Sequence, residues 1–192
     1  MPYNPLKPGL TWWPAPDTSR GIPICWGKFP YEKDPGEATP QLIKERPLLV
    51  FEAFNAPTEL GLPAGALLVI VAMGTTNWSG EHSDEAEPQP QFLLKPANPG
   101  ELEAFKVQTG LWKPTLFQFD QIHCLYYNSD WFTVPTYRPA PMQPVLTPQM
   151  GSFPPASRDS LDEVLYGKDG NDFTIFADKF EALLEAPPAT TP

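Results

Sequence analysis

A chain of 192 residues with 23 acidic and 13 basic side chains has a formal net charge of −10 and no general basic surface for gripping nucleic acid. Any nucleic-acid role therefore rests on a small, local positive site. The 27 prolines, roughly three times average usage, exclude long helices and central strands wherever they cluster, because proline fixes φ and lacks a backbone donor. No run of about twenty apolar residues is present to span a membrane. The start "MPYNPLKPGLTWWPAP" lacks the basic residues and apolar core of a signal peptide, so a cytoplasmic location is expected.

Proline density divides the chain into an N-terminal arm (1–20), a compact domain (21–137) and a proline-rich extension ending in a helix (138–192). Within the domain, apolar runs and period-two alternation predict strands over 22–29, 47–54, 66–75, 90–94 and 116–127. In the last of these, strict alternation places Phe117, Phe119, Gln121, His123 and Leu125 on one face, with Gln118, Asp120, Ile122, Cys124 and Tyr126 on the other. The acidic stretch 77–90, holding Trp78 and His82, reads as a long loop. "NPGELEAFKVQTG" predicts one short helix, with Asn98 as cap, Pro99 in the first turn, Glu101 and Glu103 favouring the helix dipole, and Gly110 as stop.

Short strands with one small helix predict a mainly β fold in which the sheet curls into a small barrel to hide its edges. Beyond residue 137, Phe173, Phe176, Phe180 and Leu183 form one apolar stripe of a helix capped by Asn171 or Asp172. That stripe docks either on the chain's own barrel or on a partner. "KDGND" reads as a turn rather than a calcium loop. Cys25 and Cys124 sit in apolar segments, as free buried thiols do, and the spacing of the cysteines and histidines matches no zinc template, so neither a metal nor another cofactor is expected.

Chemistry-bearing candidates are few. Arg46 stands at the threshold of one strand, and Thr75 and Thr76 at the end of the next; a hairpin brings such positions to one rim of a sheet. A guanidinium fork with neighbouring hydroxyls suits phosphate oxygens and can stabilise the added charge of a pentacovalent transition state. The plainer alternative is an Arg46 paired with Glu45 or Glu52, and threonines that close a turn. His123 lies mid-strand, either as a hydrogen-bonded structural residue or as a group whose pKa range suits proton transfer. Of six tryptophans, Trp78 is placed in a loop where it can stack on a base.

The segments "GIPICWGKFP", "KERPLLVFEAF", "LVIVAMGTT", "FLLKP" and "GLWKPTLFQFDQIHCLYYNSDWFTVP", in this order over roughly residues 9–135, resemble the PemK/MazF-like toxins of bacterial toxin–antitoxin systems, and among them a longer branch. The resemblance implies an SH3-like barrel, a homodimer with a cognate antitoxin, and a metal-independent endoribonuclease acting on single-stranded RNA, in which the 2′-hydroxyl attacks the adjacent phosphate. By the same resemblance Arg46 is the arginine of the Arg-Pro motif, and Thr75 and Thr76 are the hydroxyl pair. Asp120, Gln121, Ile122 and His123 match the Asp-Gln-x-basic segment, so that His123 is a candidate proton donor and Asp120 and Gln121 are candidate substrate-binding residues, with Trp78 a third candidate on the separate ground of base stacking. The proline-rich arms have no counterpart in the compact toxins and suggest an added interaction surface. The alternative is a barrel without catalysis, serving as a structural or connector component of a larger assembly such as a phage-like particle.

Overall fold

The computed structural model describes residues 5–31, 42–76, 91–166 and 174–185. Each predicted strand forms, with shifted ends: β1 (Pro23–Tyr31), β2 (Leu42–Asn55), β3 (Leu67–Thr75), β4 (Gln91–Leu94) and β5 (Thr115–Tyr126). A sixth strand, β6 (Gln149–Ser152), arises in the proline-rich extension, where none was expected, because "QMGS" is too short and too small-sided to show alternation. The strands make one antiparallel sheet in the order β4-β5-β3-β2-β1-β6.

The expected closed barrel does not form. Among the described residues the end strands β4 and β6 each have a single neighbour, so the sheet keeps two edges. Helices cover those ends instead, α1 (Leu102–Thr109) lying against β6 and α2 (Arg158–Tyr166) against β4. The sheet is nonetheless strongly curled. β2 is bulged between Val50 and Glu52, and in β5 the register to β3 jumps from Ile122 to Gln118, both of which bend the ladder. As a result the ring of Phe29 on β1 meets that of His123 on β5 at 4.9 Å between centroids, although β2 and β3 separate their strands. After β5 the chain turns across to β1, where Lys28 N–H donates to Trp131 O (2.6 Å) and Thr133 N–H to Trp26 O (3.2 Å).

Apolar side chains fill both faces. Phe29, Leu48, Val50, Val71, Met73 and Trp131 belong to the core inside the curl, and Ile24, Leu49, Ala72, Phe117, Phe119 and Phe153 to the one outside it. Full burial of one such side chain stabilises by about 1.5–3 kcal/mol. The β5 bulge corrects the predicted face assignment: Phe117 and Phe119 share the outer core with Ile122, while His123, opposite Val71, faces the inner one. Strict alternation fails there because the bulge resets the period.

α1 follows a 3₁₀ turn over Pro99–Glu101 and ends at Gly110 in the left-handed region, φ 72°. Asn98 does not cap it through its side chain; the Asn98 amide donates to Glu101 Oε1 at 2.6 Å instead. A Cβ on Gly110 would collide with Met150, and one on Gly151 with the carbonyls of Gln108 and Thr109, so the end of α1 rests backbone to backbone on β6. The helix α2 was not anticipated; it buries Leu161 and Leu165 and carries an Arg158–Asp162 pair at 2.9 Å. In α3 (Thr174–Glu185), Phe180 and Leu183 pack on both cores, so the stripe docks on its own domain through β5 and α2. Phe173, Asn171, Asp172, the "KDGND" turn and the 77–90 loop lie outside the described residues. Among the described residues no helix is long and apolar enough to cross a membrane.

The N-terminal arm is part of the fold. Trp13 donates its backbone N–H to Tyr127 O at 3.1 Å and its indole N–H to Phe132 O at 3.0 Å, and Lys7 pairs with Asp130 at 2.7 Å. Farther along, Asp17 N–H donates to Gln149 Oε1 at 2.7 Å and Gln149 Nε2 donates to Asp17 O at 2.9 Å, which ties the arm to β6.

Cys25 and Cys124 are free and buried. Burial pushes both thiols up to about 12 from an ordinary value of 9.0. A folded-state pKa above the unfolded one means that unfolding releases these protons at high pH. Their contribution to stability is complete below about pH 9 and is lost as the pH rises toward 12. Urea midpoints should accordingly fall across that range, and a thiol reagent at pH 8 should label neither cysteine until the chain is unfolded; rapid labelling of the native protein would refute this burial.

Candidate functional site

The register of β2 and β3 decides where the candidate residues fall. Leu48 lies opposite Met73, and carrying that pairing two residues outward sets Pro47 opposite Gly74 and Arg46 opposite Thr75. Side chains alternate along a strand, so Arg46 and Thr75 share a face. The close approach needs Gly74. A Cβ there would stand 2.7 Å from Thr115 Cγ2, 2.9 Å from Phe117 Cε1 and 3.1 Å from Pro47 O. The glycine of "MGTT" is thus explained by the crowding of β2, β3 and β5.

Arg46, Thr75 and Thr76 line one cleft of about 420 Å³. On the β2 side Lys44 and Glu45 complete its rim, and Trp26 of β1 and Trp112, from the turn after α1, provide an apolar wall. The two indoles lie 5.6 Å apart between centroids at an interplanar angle of 52°. Lys44 and Glu45 are exposed, and Arg46 is half-buried with its Nε shut away from solvent. Glu45 is oriented by two donors: Thr133 Oγ1–H donates to Oε1 at 3.2 Å and Trp26 Nε1–H to Oε2 at 3.4 Å. One guanidinium, one ammonium, two hydroxyls, a carboxylate and two indole surfaces therefore meet within one cleft.

The other predicted residues are placed differently. His123 is not on the cleft wall. Its ring packs edge-on against Phe29, whose backbone pairs with Lys44, while the Arg46 rung pairs with Gly27. Asp120 and Gln121 fall within the three residues of β5 that bulge between Gln118 and Ile122. Trp78 lies outside the described residues. Glu45 and Trp112 were missed as cleft residues. The signal for Glu45 was its place between Lys44 and Arg46 in "KERP"; Trp112 gave none, because only the tertiary fold carries the turn after α1 over to β1.

Protein-family models, curated proteins and solved structures offer no match to this chain.

Gly74→Ala should lower the unfolding free energy by about 1–3 kcal/mol, because the added methyl overpacks three strands at once. A urea denaturation midpoint equal to that of the parent protein would remove the steric reason given for this glycine.

Proposed function

We propose that this cleft binds the phosphodiester of single-stranded RNA and cleaves it without a metal ion, as in a PemK/MazF-like toxin, the chain acting as a homodimer controlled by a cognate antitoxin. The observation that carries the reading is the meeting of Arg46, Thr75 and Thr76 in one cleft with the oriented carboxylate of Glu45 and the Trp26–Trp112 pair. The curled sheet, whose 131–133 segment hydrogen-bonds to β1, supports a fold of the SH3-like barrel type, left open at its edges.

In the proposed reaction Glu45 takes the proton of the ribose 2′-hydroxyl, and the 2′-oxygen forms a bond to the adjacent phosphorus. Arg46 and the hydroxyls of Thr75 and Thr76 hold the non-bridging oxygens as negative charge builds on them. The bond from phosphorus to the 5′-oxygen breaks, that oxygen takes a proton from water or from the Lys44 ammonium, and the products are a 2′,3′-cyclic phosphate and a free 5′-hydroxyl. Base stacking on the indoles is worth about 1–3 kcal/mol per base and selects single strands, whose bases are exposed. Two cations at the cleft supply the local positive site that the acidic chain otherwise lacks.

Arg46→Ala should reduce cleavage of a mixed-sequence RNA at least about 100-fold, with an unchanged circular dichroism spectrum. Glu45→Gln should reduce it by about 10²–10⁴-fold. Cleavage by Arg46→Ala at the parental rate would sink the assignment.

Because His123 packs against Phe29 and not on the cleft wall, His123→Gln should cleave within a few fold of the parent while unfolding at lower urea. Complete loss of cleavage with unchanged stability would return His123 to the role of proton donor.

A further inference from the structure

The aromatic surface of the Arg46 cleft does not end with its two indoles. The ring of Tyr137 meets that of Trp112 at 6.4 Å between centroids and an interplanar angle of 74°, continuing the 5.6 Å contact of Trp112 with Trp26. Trp26 and Trp112 line the cleft and Tyr137 does not, so the three rings form a track that leads out of it. Contacts at such angles set the edge of one ring toward the face of the next and leave other faces open. Tyr137 keeps 69% of its surface exposed.

That exposure is not slackness of the chain. Before Tyr137, Thr133 N–H donates to Trp26 O at 3.2 Å; after it, Arg138 Nη2 donates to Met150 O at 3.1 Å. The segment is thereby fastened to β1 and to β6, while the ring between the two ties stays in solvent. A ring held in this way loses little freedom when a flat ligand covers it. Charge along the track also departs from that of the whole chain. Lys44 and Arg46 stand at its inner end, and the exposed Lys113 follows Trp112 in the chain. Neither 110–119 nor 131–158, the stretches that carry Trp112 and Tyr137, contains an acidic residue, although the chain has 23.

We propose that Tyr137 is a base-stacking subsite for single-stranded RNA, taking the base next to the nucleotide that rests on Trp26 and Trp112 while the phosphate of that nucleotide lies against Arg46. The subsite rests on the reading of the cleft as an RNA site, but not on cleavage there. Continuity with the cleft selects this occupant. An unpaired strand offers a π-face on every base and a phosphate between bases, and a run of aromatic rings that starts beside two cations meets both needs. Stacking on a tyrosine is indifferent to which base it receives, so the subsite lengthens the footprint on the strand without reading its sequence.

Anisotropy of a short, fluorescein-labelled, mixed-sequence RNA with 2′-fluoro sugars, which lacks the attacking hydroxyl, measures the subsite apart from cleavage. Tyr137→Ala should bind it about 5- to 150-fold more weakly, and Tyr137→Phe, which keeps the ring, as the parent does. The slope of log affinity against log salt should keep its parental value in Tyr137→Ala and fall by about 0.7 in Arg46→Ala, because only the second removes a phosphate contact. Tyr137 is too exposed for its replacement to unfold the chain. Parental affinity in Tyr137→Ala beside weakened binding in Arg46→Ala overturns the subsite and leaves the reading of the cleft in place. Tyr137-dependent binding by a parent that cleaves no natural RNA does the reverse, sustaining the subsite while the ribonuclease reading falls. The subsite also fails if the parent does not bind the oligomer, if Tyr137→Phe binds as weakly as Tyr137→Ala, or if Tyr137 serves a Pro-x-x-Pro peptide in place of RNA.

Discussion

The curl of the sheet is the constraint from which the other features follow. In a flat sheet, β1 and β5 would stand about 14 Å apart across β2 and β3, yet their side chains Phe29 and His123 touch. Only a bent ladder allows this, and the bulges in β2 and β5 supply the bend. Once bent, the sheet wraps one core and exposes its outer face, which α1, α2 and α3 then cover. Two dry faces leave little room for polar groups except at strand ends. The charged residues of "KERP" and the hydroxyls of "MGTT" therefore collect at one rim.

That rim combines local attraction with general repulsion. A net charge of −10 repels a polyanion at long range, though salt screens this beyond a Debye length of about 8 Å. A ligand that relied on charge alone would be held poorly. The paired indoles change the balance, because stacking is indifferent to net charge and is available only to unpaired bases. In the proposed reading, acidity is a filter against duplexes and bulk nucleic acid, and the cleft admits a short single-stranded stretch.

Much of this was legible where a local rule had a long enough run to act. The nine residues of β3 are apolar almost throughout, and the expected strand 66–75 matches Leu67–Thr75 closely. The juxtaposition of Arg46 with Thr75 followed from hairpin geometry alone. What escaped the sequence depended on distant partners. β6 has four residues and exists because β1 offers it an edge and α1 a glycine-to-backbone contact. The side on which His123 falls was misread because three bulged residues carry no signature in "FDQIH". Barrel closure was expected from the need to hide edges, and helices met that need in another way. The prolines of the N-terminal arm looked like the mark of an appendage, but fixed extended backbone is equally suited to lying across a surface and bonding to it.

That arm also bears on the order in which the molecule assembles. Its hydrogen bonds join residues 118, 119 and 132 positions apart in the chain. During synthesis the segment around Trp13 emerges well before its partners, Tyr127, Phe132 and Gln149. It has nowhere to dock until the sheet from β1 to β5 is complete. Contacts of such long range slow folding, because the entropy of closing the loop is lost before any bond is gained. A segment made before its partners is thus among the last to settle, and its docking marks the completed fold.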